Sequence, residues 1–247
     1  MPKSRGSSRG LALVAAVALL IPSYTFNVAS VDAHCPGGAN AYKWSTMKTI
    51  ITSNEGIEGR IQWTNPSLCY PSSGVTFSAS WVTDCDYQCR LGTDGWIQTG
   101  WVRRQGYSEP RQFCELAASQ GGTGYGGPIY LVEFGSPGTT QTYSGLRTFT
   151  PPYDTWMCMI EGINKAQKLT SWMGFAYADR LIVGGETFAP HSQIGRNYPS
   201  KLLFSDLAYI NFGTYSVLNL ASISNLDTPY GQDEPAAGQL RIWTNPH

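Results

Sequence analysis

Two side chains in this sequence have the type and setting for hydrolytic chemistry. Gln98 sits in Trp96-Ile-Gln-Thr-Gly-Trp-Val102, a run of aromatic and β-branched residues. Read as a strand, Trp96, Gln98, Gly100 and Val102 share one face, and Ile97, Thr99 and Trp101 share the other. An amide in an apolar strand costs free energy unless it is hydrogen-bonded. Gln98 is therefore either a satisfied structural or solvent-facing glutamine, or it points into a site. Glu186 lies in Val183-Gly-Gly-Glu-Thr-Phe188. A glutamate after two glycines at the end of a strand is well placed to activate a water molecule. Glu133, in Tyr130-Leu-Val-Glu-Phe134, and Glu161, just before Gly162, are the other carboxylates in strand-like text, each with a solvated face as its plain explanation. Glu133 and Glu186 would also suit a glycosidase pair, which needs two carboxyls at a defined separation.

Other chemistries find little support. There is no Gly-x-Ser-x-Gly elbow, and only His34, His191 and His247 are available as a base. Of these, His191 lies in an Ala-Pro-His-Ser turn. The glycine-rich stretch 121–127 lacks the Gly-Lys-Ser/Thr of a phosphate cradle, so it reads as a surface loop. Haem, flavin and nicotinamide signatures are absent, and no metal or cofactor is expected.

The elements that must carry these residues are short β-like runs between turn signals. They are 47–52, 57–63, 75–82, 96–103, 128–134, 146–149, 155–163, 171–177, 181–188, 202–212 and 240–243. Asn65-Pro66, Ser72-Ser-Gly74, 92–95, Ser136-Pro-Gly138 and Thr150-Pro-Pro152 punctuate them. The one helical candidate is 113–119, which could equally be a strand. About eleven strands without an amphipathic helix predict an all-β, antiparallel sandwich or barrel in a single domain.

At the N-terminus, Lys3, Arg5 and Arg9 precede an apolar run at 11–21 that is too short to span a membrane comfortably. Residues 1–33 are therefore expected to be a secretion signal. Residues 34–247 would form the mature domain, with a loose arm at 34–45 and a Pro/Gly-rich segment at 227–239. The protein is expected to be secreted and extracellular, monomeric, and free of the membrane after cleavage. Beyond residue 33, acidic side chains outnumber basic ones by two, so no basic stripe exists for nucleic acid to follow. All six cysteines (Cys35, Cys69, Cys85, Cys89, Cys114 and Cys158) lie in the mature part, which favours three disulfides over a zinc site. Spacing cannot choose among fifteen pairings, although Cys85-x-x-x-Cys89 would close a small loop.

The order Trp96-Ile-Gln98-Thr-Gly100, then Tyr130-x-x-Glu133-Phe134, then Glu186, then 203–212, resembles the glutamic peptidases of the eqolisin type. The resemblance spans roughly residues 75–220. It implies a jelly-roll, concanavalin-like sandwich and acid-range hydrolysis of a polypeptide by a Gln/Glu dyad. Gln98 matches the family's Gln-Thr-Gly strand and Glu186 holds the place of its glutamate. Trp96, Glu133 and Phe134 would then help to bind substrate. The sequence departs from the family in having Gly-Gly-Glu-Thr-Phe where tryptophan and further acidic residues are usual, in its near-neutral charge, and in its six cysteines.

A second function class fits the composition. Eight Trp and fourteen Tyr suit a non-catalytic, lectin-like module that binds glycan or protein through exposed aromatic residues.

Overall fold

The computed structural model describes residues 33–34, 42–70, 77–86, 94–119, 125–130, 138–188, 192–197, 199–220 and 223–245. Strands are numbered in chain order. One sheet of seven runs β16 (Ile223–Leu226), β2 (Lys43–Asn54), β12 (Ala178–Thr187), β5 (Phe77–Cys85), β6 (Trp96–Arg104), β7 (Arg111–Ala117), β8 (Tyr125–Tyr130). The other runs β11 (Ile163–Leu169), β10 (Tyr153–Ile160), β9 (Thr140–Thr150), β3 (Gly56–Gln62), β14 (Leu202–Asn211), β18 (Leu240–Thr244), β13 (Arg196–Asn197). β15 (Thr214–Val217) pairs with β14 in that second sheet, and β17 (Tyr230–Asp233) pairs with β18. All neighbours within the two sheets are antiparallel except β13 and β18. A separate parallel pair joins β1 (Ala33–His34) to β4 (Cys69–Tyr70).

Period-two alternation decides which side chains enter the space between the sheets. From β6, Ile97 and Trp101 point inward and are fully buried. They meet Ile57 and Ile61 of β3, Tyr143 of β9 and Trp156 of β10 in one apolar cluster. Trp63 stacks on Trp101 with ring centroids 6.3 Å apart. The opposite face of β6 carries Trp96, Gln98, Gly100 and Val102, as the alternation predicts. Gly100 must be small, because a Cβ there would land on the Ser80 carbonyl oxygen of β5.

Asp84 faces inward, in register with Leu181 and Ile97. Burial pushes its carboxyl well above the usual range, and the neighbouring Asn54 amide opposes that rise without cancelling it.

Several elements differ from their sequence reading. Residues 113–119 do not form a helix: β7 pairs with β6 on one side and β8 on the other, and buries Cys114 and Leu116. The run 171–177 is not a strand. It begins as the short helix α1 (Thr170–Met173), which Gly174 ends at φ +80°. β11, sequence INKAQKL, is too polar to show alternation, because it is an edge strand with five of seven residues exposed. Residues 43–45 of the expected arm belong to β2, and β17 forms within the Pro/Gly-rich segment. Tyr125–Gly127 of the glycine-rich stretch open β8. Residues 1–32 of the expected signal, together with Cys35, Cys89, Glu133, Phe134 and His191, lie outside the described residues.

Cys114 of β7 and Cys158 of β10 form a disulfide across the two sheets, 44 residues apart in sequence. Cys69 and Cys85 are disulfide-bonded as well. Closing a loop of that length is worth about 4 kcal/mol in chain entropy, an upper figure where the unfolded chain retains structure. Replacing both Cys114 and Cys158 with Ala is expected to lower the urea unfolding free energy by roughly 2–4 kcal/mol. An unchanged midpoint would show that packing alone holds the sheets together.

Candidate functional site

The outer face of the seven-stranded sheet carries a polar network in apolar surroundings. β5 lies between β6 and β12 and presents Trp81 between them. Gln98 is buried, at 8% exposure, and Trp81 at 5%. The Gln98 amide oxygen accepts the Trp81 indole N–H at 2.9 Å, and its nitrogen donates to Glu115 Oε2 at 2.8 Å. That amide orientation is the one that satisfies both neighbours. Glu115 stands directly opposite Gln98 in the β6–β7 register.

Glu186 reaches the same network from β12. Its register partners are Trp44 of β2 and Ala79 of β5. The Trp44 indole N–H donates to Glu186 Oε2 at 3.1 Å, and the Trp81 indole lies near enough to the carboxylate to favour its charged form. The Trp81 indole thus stands between the amide of Gln98, to which it is hydrogen-bonded, and the carboxyl of Glu186. Small neighbours make room: Gly184 and Gly185 precede Glu186, and a Cβ on Gly184 would meet the Ser45 carbonyl oxygen.

The electrostatics are unusual for a glutamate. Desolvation lifts the Glu186 carboxyl from its ordinary value of 4.5 to about 7, and the Glu115 charge pushes in the same direction. Hydrogen bonds from Trp44 and Trp81 oppose the rise without cancelling it. Tyr42 stands over this end of the site. Burial raises its phenol pKa, and the charges of Glu186 and Glu115 raise it further, so it senses both carboxyls. Tyr42 stacks on Trp44 at 5.8 Å and meets Phe188 edge-on at 4.8 Å, while Phe77 lies parallel to Phe188. These rings form an aromatic rim at the Glu186 end.

Of the residues the sequence singled out, Gln98, Trp96 and Glu186 share this face. Trp96 packs with Cys85 and Ala117 at the far end from the rim. Glu161 is elsewhere: it occupies an exposed hairpin turn, where its carboxylate accepts the Thr142 backbone N–H at 2.5 Å. Glu115, Trp81, Trp44 and Tyr42 were not recognised from sequence. For Glu115 the signal was present, because Phe113, Glu115 and Ala117 share one face once 113–119 is read as a strand.

No family model and no curated protein matches this chain. Among solved structures it is similar to scytalido-glutamic peptidase with a transition-state analogue inhibitor, at 12% identity and a TM-score of 0.51, over 83% of this chain and 100% of that one. A second is SCP-B, a member of the eqolisin family of peptidases in complex with the tripeptide Ala-Ile-His, at 13% identity and a TM-score of 0.45, over 83% and 98%. A third is endo-1,3-β-glucanase from Streptomyces sioyaensis, at 12% identity and a TM-score of 0.38, over 79% and 66%. At such identities the likeness is one of fold. This chain is an all-β, antiparallel jelly-roll sandwich.

The Glu186 shift has a consequence for stability. The folded chain holds this proton up to about pH 7, whereas the unfolded chain releases it near 4.5. Stability therefore falls as pH rises between those values, by at most about 3 kcal/mol from this group. Glu186→Gln is expected to flatten that part of the profile in urea unfolding measured at pH 4.5 and 7.5. A parallel profile in the variant would mean that Glu186 titrates like a free glutamate.

Proposed function

We propose that the outer face of the seven-stranded sheet hydrolyses peptide bonds with Glu186 and Gln98 as its working pair. The observation that carries this reading is the position of Trp81, hydrogen-bonded to the Gln98 amide and beside the raised-pKa carboxyl of Glu186, which the Trp44 indole N–H also holds. The eqolisin-type motif around Gln98 and Glu186 supports the same pairing.

The roles follow from the chemistry. Ionised Glu186 takes a proton from a water molecule as that water attacks the scissile carbonyl. The protonated carboxyl then gives the proton to the leaving amine. Gln98 spends one amide N–H on Glu115 and has a second for the developing oxyanion, an interaction whose loss costs about 100- to 1,000-fold in rate. Trp81 fixes the amide oxygen, and Glu115 fixes the nitrogen. The aromatic rim of Tyr42, Trp44, Phe77 and Phe188 would receive an apolar substrate side chain. A free glutamate would already be ionised, and so available as a base, above about pH 4.3. With its pKa near 7, Glu186 is ionised in only about one molecule in a thousand at pH 4. Turnover should therefore rise through pH 5–7 rather than peak in strong acid.

The second reading is a secreted, non-catalytic binding module. What favours it is that the Gln98 amide already has a partner at each end.

Cleavage of a denatured protein substrate from pH 3 to 8 separates the two. We expect cleavage with an acid limb whose midpoint lies between about pH 6 and 7. It should be abolished in Glu186→Gln and reduced at least 100-fold in Gln98→Ala. A folded, oxidised wild-type protein that cleaves nothing would leave the binding module as the reading. Full activity in Gln98→Ala would remove the oxyanion role.

A further inference from the structure

We propose that a second copy of this chain docks on the outer face of the nine-stranded sheet, in a two-fold dimer where Phe212 of each copy enters a groove on the other. This interface lies on the opposite sheet from Glu186 and does not depend on the peptidase reading.

The register places an apolar row on that face. Gln167, Met157, Leu146, Gly56, Ile210 and Tyr215 align on successive strands from β11 to β15. None of the six belongs to the core cluster between the sheets, because strand alternation turns them away from it. Tyr215 is 53% exposed, and Val217, one rung along β15, is 60% exposed. At the other end of the face, Tyr153 and Leu169 are exposed as well. Apolar side chains left to water at both ends of one face mark an interaction surface. The rungs through Tyr153, Leu169, Met157 and Met159 carry a single charged side chain, Glu58, which accepts the Ser144 hydroxyl at 2.8 Å. A face so nearly neutral does little to repel its own copy.

The same face carries a knob and a groove. At the Tyr153–Leu169 end a groove of about 610 Å³ is lined by those two residues with Thr155, Met157 and Trp172 of α1. At the far end the β14–β15 turn holds Phe212 at φ +47°, 76% exposed. Such turns ordinarily take asparagine or glycine. A bulky side chain in left-handed backbone is strained, and an exposed one gains no packing within its own chain to offset that strain. β14 and β9 are both antiparallel to β3. The turn at Phe212 therefore stands level with the Thr148–Thr155–Leu169 rung that floors the groove. A two-fold axis parallel to the strands, between β9 and β3, keeps that level and exchanges the two ends of the face. It lays the β14–β15 turn of each copy over the groove of its partner, as an isologous contact requires.

The area is sufficient for a pair of copies. Strands about 4.8 Å apart and rungs about 6.7 Å apart give the face roughly 600 Å² per copy, about 1,200 Å² in all, the lower end for a specific interface. A dimer departs from the monomer expected from sequence, where a row drawn from six strands leaves no local mark.

The test is sedimentation equilibrium of the oxidised protein from about 1 to 100 µM, on wild type, Phe212→Gly, Tyr153→Asp, Glu58→Gln and Ile50→Asp. We expect wild type to form a reversible dimer with Kd on the order of 10 µM. Phe212→Gly removes the knob and suits the left-handed backbone, so it should weaken the dimer about tenfold or more while the unfolding temperature holds or rises. Tyr153→Asp, in the groove wall, should weaken it by a similar factor. Each copy brings Glu58 close to the axis, so Glu58→Gln should tighten the dimer about threefold or more. Ile50 is 55% exposed on the other sheet, and Ile50→Asp should leave the dimer unchanged. A wild type still monomeric at the highest concentration would overturn the proposal. So would a dimer indifferent to Phe212→Gly and Tyr153→Asp, no tightening in Glu58→Gln, or loss of the dimer in Ile50→Asp.

Discussion

The Trp81 indole N–H is the contact on which the outer-face network depends. It donates to an amide oxygen on one neighbouring strand, and its ring stands beside a carboxyl on the other. An indole can hold that place because it fills the apolar surface of the sheet and still presents a polar edge. Trp81 packs with Ala79, Val102 and Phe113, a small apolar cluster separate from the core between the sheets. That cluster keeps water from the network and so gives each hydrogen bond in it more weight. The same exclusion of water lifts the Glu186 carboxyl. Position and raised pKa therefore have one physical origin: apolar packing on a face that strand alternation alone would leave to solvent.

That face exists because β6 is buried on both sides. Its inward residues join the main core and its outward residues join the network, so the strand reads as a continuous apolar run interrupted by Gln98. In a strand with one solvated face, an amide would signify nothing. Here it must be satisfied, and Trp81 and Glu115 are what satisfy it. The glycines serve the same geometry. Gly100 lets β6 lie against the Ser80 carbonyl, and Gly184 lets β12 lie against Ser45, so the strands bearing Gln98, Trp81 and Glu186 stay in close register.

Period-two alternation made much of this legible in the sequence. It predicted the two faces of β6, the sandwich class and the strand that carries Glu186. It failed where local composition and tertiary context disagree. β7 looked helical because Glu115, Leu116 and two alanines have good helix propensity, and pairing with two strands overrides propensity. That ambiguity between helix and strand also hid Glu115, which becomes a neighbour of Gln98 only through the β6–β7 register. β11 was illegible for the opposite reason: an edge strand with both faces largely wet carries no alternation to detect. Trp44 and Tyr42 fall in the expected loose arm, because nothing local announces that β2 pairs with a strand more than 120 residues away.

The two sheets also divide the protein's charges by function. Asp84 and Glu186 are carboxyls forced into apolar surroundings, and both resist ionisation. Arg147 holds Asp154 in the ordinary ionised state or lower, and Arg241 and Lys201 do the same for Asp233 despite its partial burial. The first pair gives up stability as pH rises from acid towards neutral. The second pair gives it up only when pH falls through the low end of the carboxylate range. Between those limits every one of these groups is in its preferred state, so the fold is most secure in mildly acid solution. Turnover by Glu186 would need the ionised form that the fold disfavours. Such a site would work on the declining edge of its own stability profile, and the cross-sheet disulfide between Cys114 and Cys158 is an element whose contribution does not change with that titration.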